Sequence, residues 1–148
     1  MALTTVQSGV IAGGTPAFRA YATAGTTIGA GATAKITFDT KDYDTNTNYS
    51  TVNSRFTPTV AGYYQISLGV RPTTSTSSET GVYLYKNGSN YETLYDATTV
   101  LYNISASALV YMNGSTDYLE VFMYAQTAGT TNFGNSSVWF SGCLVRSA

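Results

Sequence analysis

The chain has 148 residues, with seven Lys plus Arg, eight Asp plus Glu, no His, a net charge of −1 and one cysteine. A chain of this length forms one domain with a real core, its near-neutral balance excludes an electrostatic grip on nucleic acid or an anionic membrane, and the lone Cys143 excludes an internal disulfide framework. Charged residues make up 10% of the chain against roughly 25% in an average domain, and Thr, Ser, Asn and 13 Tyr carry the polarity, a composition of strands and turns.

Residues 1–15 are small, Gly-rich and end in GGTP; they read as a flexible lead or attachment segment, with 16–148 as the folded domain. The start has neither a charged end nor an apolar run of about 7–15 residues, so no cleavable signal is read, and no stretch approaches the ~20 apolar residues of a membrane helix. Strands are expected at AFRAYAT (17–23), AKITFDT (34–40), RFTPT (55–59) and YYQISLGV (63–70), the last two flanking a turn at Ala61–Gly62. TSTSSETG (74–81) reads as a polar loop. VYLYKNGSNYETLYD (82–96) reads as a hairpin, its Asn-Gly supplying the positive φ of a tight turn. ISASALVYM (104–112) and YLEVFMYAQ (118–126), joined by NGSTD, read as a second hairpin, and VWFSGCLV (138–145) closes the chain. Short strands, frequent turn signals and no helical period place the chain among all-β sandwiches, jelly rolls and barrels.

Alternation within these strands assigns their faces. In 63–70 the apolar set is Tyr64, Ile66, Leu68 and Val70, and the opposite set, Tyr63, Gln65, Ser67 and Gly69, carries no charge. In 104–112 Ile104, Ala106, Ala108, Val110 and Met112 oppose Ser105, Ser107, Leu109 and Tyr111. In the last strand Val138, Phe140, Gly142 and Leu144 oppose Trp139, Ser141, Cys143 and Val145. Solvated sheet faces ordinarily carry Lys, Glu or Asp. Three uncharged second faces therefore point to an oligomer; the alternative is a monomer with a neutral, Thr/Ser-rich surface.

Little catalytic chemistry is legible. Without His there is no Ser-His-Asp or Cys-His arrangement, and the commonest zinc ligand is missing. Cys143 reads as a small packed residue, and Glu79, Glu92 and Glu120 are isolated from one another. The chain is therefore expected to be non-enzymatic. In FDTKDYDTNTNYS (38–50) the side-chain oxygens of Asp42, Asp44, Asn46 and Asn48 have a calcium-like spacing. The EF-hand glycine and terminal glutamate are missing, and the same residues are ordinary turn formers. Around 118–124, core positions Leu119, Val121 and Met123 leave Tyr118, Glu120, Phe122 and Tyr124 facing out. Val82 and Leu84 inside leave Tyr83 and Tyr85 facing the same way. Such rings stack on sugar C–H surfaces and offer hydroxyls to a glycan; they also stabilise a sheet as cross-strand pairs.

Four pieces, in order, resemble the globular domain of complement C1q. RFTPTVAGYYQI (55–66) resembles its F-x-x-x-x-x-G-x-Y-x-F/I stretch, LYKNG (84–88) its L-x-K-N-G hairpin, LVYMNGSTDYLEV (109–121) its L-x-L-x-x-G-D-x-V-x-L stretch, and FSGCLV (140–145) its terminal F-S-G-x-L. PAFRAYAT (16–23) resembles the opening strand, so the resemblance covers residues 16–146. One departure is GSTD, two residues longer than the family's Gly-Asp, which is expected to loosen that turn. The resemblance implies the ten-stranded jelly roll shared with tumour necrosis factor, assembled as a homotrimer. Tyr63, Gln65, Ser67, Leu109, Tyr111, Trp139 and Cys143 would then face neighbouring subunits. The lead SGVIAGGTPAFRAY (8–21) resembles the start of C1q-like modules on bacteriophage fibres and other virion appendages. That implies a structural or adhesion module on the virion surface, at a fibre tip, a receptor-binding knob or a capsid decoration. It would be joined to other virion proteins through residues 1–15 and would bind host-surface glycan through Tyr83, Tyr85, Tyr118, Phe122 and Tyr124. The alternative is a secreted or surface bacterial C1q-like module with a protein partner.

Overall fold

The computed structural model describes residues 15–73, 78–99 and 103–148. Its strands, in chain order, are β1 (Ala17–Tyr21), β2 (Thr27–Ile28), β3 (Ala32–Lys35), β4 (Thr40–Asp44), β5 (Tyr49–Ser50), β6 (Arg55–Phe56), β7 (Gly62–Val70), β8 (Ser78–Lys86), β9 (Ser89–Thr99), β10 (Ile104–Met112), β11 (Leu119–Ala125), β12 (Gly129–Thr130) and β13 (Trp139–Ser147). No helix occurs among the described residues. One antiparallel sheet has the order β10-β7-β13-β1-β4. The other has the order β5-β6-β11-β8-β9, with β3 beside β6 on the same edge of β11. The short β2 and β12 pair with each other.

The alternation read from the sequence sets the core. Tyr64, Ile66, Leu68 and Val70 from β7 and Val82, Leu84 and Val121 from the other sheet are all fully buried. At the centre the Phe18 ring stacks on Phe56 at 4.2 Å and on Tyr49 at 5.1 Å, and meets Phe140 edge-on at 5.0 Å. A methyl group at Gly142, the cross-strand partner of Phe18, would lie 2.9 Å from the Phe18 ring and 2.7 Å from Ile66 Cδ1. The glycine of FSGCLV thus makes room for the ring of the opening strand.

Several local expectations change because the chain repeatedly crosses between sheets. AKITFDT is two strands: β3 belongs to the second sheet and β4 to the first, with Ile36 and Phe38 buried in the crossing. FDTKDYDTNTNYS therefore contains a strand followed by a tight loop. RFTPT keeps only β6, in the second sheet, because Pro58 cannot donate to a ladder; β7 continues in the first. NGSTD does not close a hairpin. β10 pairs with β7 along its whole length, whereas β11 pairs with β8, β6 and β3. The polar loop expected at 74–81 ends earlier, since Ser78 already begins β8; positions 74–77 lie outside the described residues, as does the expected lead except for Thr15. The Asn87–Gly88 hairpin forms as expected, both residues having positive φ (55° and 79°).

The inserted GSTD segment is tightly held. Asn113 Oδ1 accepts from the amides of Ser115, Thr116 and Asp117, each at 3.0 Å. Asp117 Oδ2 accepts from the Asn113 amide at 3.0 Å and pairs with Lys86 Nζ at 2.9 Å, while Oδ1 accepts from Asn87 Nδ2 at 2.8 Å. Asn87 Oδ1 accepts from the Tyr118 amide at 3.0 Å. Asp117 therefore ties the hairpin turn to the crossover between sheets. Burial alone would raise its carboxyl, but the bonds from Asn87, Lys86 and the Asn113 amide, with the Lys86 charge, hold it below the ordinary carboxylate value.

Its contribution is present above the unfolded carboxylate range and lost as pH falls through the lowered folded value. Asp117→Asn is expected to lower unfolding free energy at pH 7 by about 1–3 kcal/mol, the cost of losing charge-assisted bonds. It should also flatten the acid limb of stability against pH, both read from urea denaturation across pH.

Candidate functional site

The outward face of the first sheet is ordered by register. Ser105, Gly69 and Trp139 share one row; Ser107, Ser67 and Ser141 the next; Leu109, Gln65 and Cys143 the next. Tyr111 and Tyr63 follow, their rings edge-to-face at 5.5 Å, with Arg146 opposite Tyr63 after a bulge in β13. The Trp139 indole covers Gly69, where a side chain would collide with it. Every residue assigned to an assembly face from the sequence (Tyr63, Gln65, Ser67, Leu109, Tyr111, Trp139 and Cys143) lies on this one surface. Tyr63, Leu109, Tyr111 and Val145 are 45, 56, 42 and 61% exposed. Cys143, read from the sequence as packed, is exposed on this face of the single chain. Charge returns at its borders and, in the fourth row, at the exposed Arg146. Arg19, beside Ser141, pairs with Asp42 at 2.9 Å, and Lys86 donates to the Tyr111 carbonyl at 2.7 Å.

The outward face of the second sheet has a different chemistry. Phe122 lies opposite Tyr83 and Glu120 opposite Tyr85; the Tyr85 and Phe122 rings stack at 4.0 Å. Tyr83 folds back over Gly81, whose Cβ would strike its hydroxyl, and Gly81 is the partner of Tyr124. Burial pushes the Tyr83 hydroxyl above its ordinary value, and the Asp96 and Glu79 carboxylates add to the shift. Tyr83, Tyr85, Tyr118, Phe122 and Tyr124 are thus brought onto one half-buried surface.

Glu120 departs from the expectation that it simply faces out: it is 4% exposed. Lys35 Nζ (3.2 Å), Arg55 Nε (3.2 Å) and Arg55 Nη2 (3.1 Å) all converge on its Oε1. Arg55 also lies over the Tyr118 ring at 3.7 Å, and Lys35 is the cross-strand partner of Phe122. A carboxylate this buried requires such pairing. Alternation could place Glu120 but not its partners, which come from positions 85 and 65 residues away.

Asp42 and Asp44 already have partners within the chain. Asp42 pairs with Arg19; Asp44 pairs with Lys41 at 3.1 Å and accepts from the Asn48 and Tyr49 amides at 2.9 and 3.0 Å. Among the described residues no three His, Cys, Asp or Glu are grouped to hold a metal ion.

A model of the C1q domain matches residues 17–145. The chain belongs to the C1q domain family. No curated protein matches it closely enough to count as a relative. Among solved structures this C1q domain is similar to the globular domain of zebrafish complement 1qA, with 14% identity and a TM-score of 0.66, covering 91% of this chain and 100% of that one. It is similar to murine APRIL at 10% identity and a TM-score of 0.67, covering 89% and 100%. It is similar also to Eiger TNF from S. frugiperda at 14% identity and a TM-score of 0.59, covering 90% and 94%. At these identities the likeness is one of fold: an all-β C1q/TNF-like jelly roll whose strands are partly broken into short pieces.

Glu120→Gln leaves Lys35 and Arg55 facing each other without the shared anion. The two cations are about one-third exposed, so solvation offsets part of the loss. The expected result is a drop of about 1–3 kcal/mol in unfolding free energy, measured from urea denaturation midpoints.

Proposed function

We propose that this C1q domain is a non-enzymatic homotrimeric binding module, assembled through the uncharged outward face of β10, β7 and β13. The observation that carries the reading is the continuity of that face. Its first three rows bear no charge, Arg146 is met only at the far end of β13, and large apolar side chains are exposed at that same end. Stable interfaces bury about 800 Å² on each partner and avoid charge at their centres. One face meeting a different surface of the next copy closes into a ring, which for three copies gives a threefold axis. The family resemblance supports three as the number.

The module is placed on a bacteriophage virion, as a fibre tip, receptor-binding knob or capsid decoration. Residues 1–15 would join it to other virion proteins, and its second sheet would face a host-surface glycan. Support for the placement comes from the lead SGVIAGGTPAFRAY; support for the ligand comes from the clustered Tyr83, Tyr85, Tyr118, Phe122 and Tyr124, whose rings and hydroxyls suit sugars. Virion structural genes flanking the coding frame would agree with the placement, and a chromosomal neighbourhood without them would favour a secreted bacterial module.

Light scattering after size exclusion is expected to give three times 15.7 kDa for the native chain. Gln65→Lys and Leu109→Glu each put a charge in an uncharged row of the face; they are expected to run as folded monomers with unchanged far-UV circular dichroism. A native chain that stays monomeric at low micromolar concentration overturns the assembly.

A further inference from the structure

We infer that the second sheet recognises a carboxylate-bearing sugar, such as a uronic or sialic acid residue, through Lys35 and Arg55 beside the Tyr85–Phe122 ring pair. The inference rests on the reading of this sheet as a glycan surface and names the class of sugar.

Two cations share one carboxylate, and they share a single oxygen of it, so the cluster of Lys35, Arg55 and Glu120 carries one surplus positive charge. Both cationic side chains remain about one-third exposed, 36% for Lys35 and 34% for Arg55, whereas the Glu120 side chain is 5% exposed. What a ligand meets is therefore the cationic part of the cluster. Arg55 engages Glu120 through Nε and Nη2; among the described residues Nη1 has no acceptor. Planar guanidinium donors suit a carboxylate, and the Tyr118 ring beneath Arg55 fixes its plane.

The apolar ledge adjoins these charges. Lys35 is opposite Phe122, and Glu120 is opposite Tyr85, in the same two ladders. A uronic acid carries its carboxylate one bond from the pyranose ring. A ring against the Tyr85–Phe122 pair therefore brings that group to the two cations. Further along the same face the charge reverses: Asp96, opposite Gly81, and Glu79 lie close enough to raise the Tyr83 hydroxyl. Carboxylates at that end accept hydrogen bonds from sugar hydroxyls, so the face distinguishes the two ends of the ligand. One surplus charge per chain matches one carboxylate. It is too little for a nucleic acid or a sulfated polyanion, whose binding rests on many phosphate-like contacts.

The test measures binding of the full chain to matched pairs: 3′-sialyllactose against lactose, and trigalacturonic acid against its methyl ester. The acidic member of at least one pair is expected to bind about tenfold tighter, the worth of one charge-assisted hydrogen bond. Lys35→Gln, which leaves the Arg55–Glu120 pair in place, is expected to abolish that preference while neutral-sugar binding persists and reports an intact fold. Phe122→Ala is expected to weaken both members. Equal binding within both pairs overturns the carboxylate inference and leaves the glycan reading standing. A preference that survives both Lys35→Gln and Arg55→Gln overturns it as well, as does equally tight binding of poly-glutamate. Binding to no member of either pair overturns the glycan reading together with the inference.

Discussion

Phe18 occupies the middle of the sandwich, between rings contributed by β5 and β6 of one sheet and β13 of its own. Its packing fixes the separation of the sheets, and with it the direction in which every alternate residue points. Burying one such ring is worth about 1.5–3 kcal/mol, and each well-placed aromatic pair adds about 0.5–1.5 kcal/mol. The ring also demands a bare backbone opposite it, which Gly142 supplies. The same arrangement recurs on the two surfaces, where Trp139 covers Gly69 and Tyr83 covers Gly81. Glycine normally weakens a strand interior because it offers nothing to pack. Here each of these three is covered by an aromatic ring, so the cost is offset and a flat patch results.

The scarcity of charge is easier to understand once the ion pairs are located. Five of the seven cations join ion pairs, and none of those pairs sits on β7 or on the edge strand β10. Lys86–Asp117 fastens the hairpin to the crossover, Lys41 pairs with the Asp44 carboxylate that accepts from the Asn48 and Tyr49 amides of the loop before β5, and Arg55 and Lys35 gather β6 and β3 against β11. The loop before β5 and the strand β6 are segments that backbone ladders alone hold weakly, since β5 and β6 are only two residues long. Paired charge in this chain holds crossings and short strands, and its absence from β7 and β10 leaves the first three rows of one face neutral.

The alternation of Tyr64, Ile66, Leu68 and Val70 was legible because strand periodicity is local, and a one-residue slip would invert every side chain. Partner choice was not. NGSTD looks like a hairpin turn because Asn, Gly and Asp form turns whatever lies on either side. Whether β10 and β11 pair depends on β7 and β8, far away in sequence. Nothing in YLEVFMYAQ reveals that Glu120 is buried, since its partners stand on β3 and β6. The same limit hid the value of Asp117. Its motif could be matched, but the reason for the motif, a carboxylate joining three segments, emerges only when Lys86 and Asn87 arrive beside it. The aromatic set of the second sheet was legible as a face, whereas the cations that give it a preference were not.

The middle row of the neutral face, Ser107, Ser67 and Ser141, bears on why this face is polar without being charged. A purely apolar surface of three strands would make the free chain prone to aggregate, and charges there would each cost several kcal/mol to bury. Hydroxyls lie between these extremes. An unsatisfied one costs about 1–3 kcal/mol on burial, but it rotates to meet backbone carbonyls, as Ser141 does toward Ser67 at 3.4 Å. Where the row reaches β1 it ends at Arg19, already neutralised by Asp42. Across these three rows, therefore, every strong electrostatic group is either absent or paired inside its own chain, Arg146 standing apart at the end of β13, and a neighbour docking on the serine row would have no buried charge to compensate.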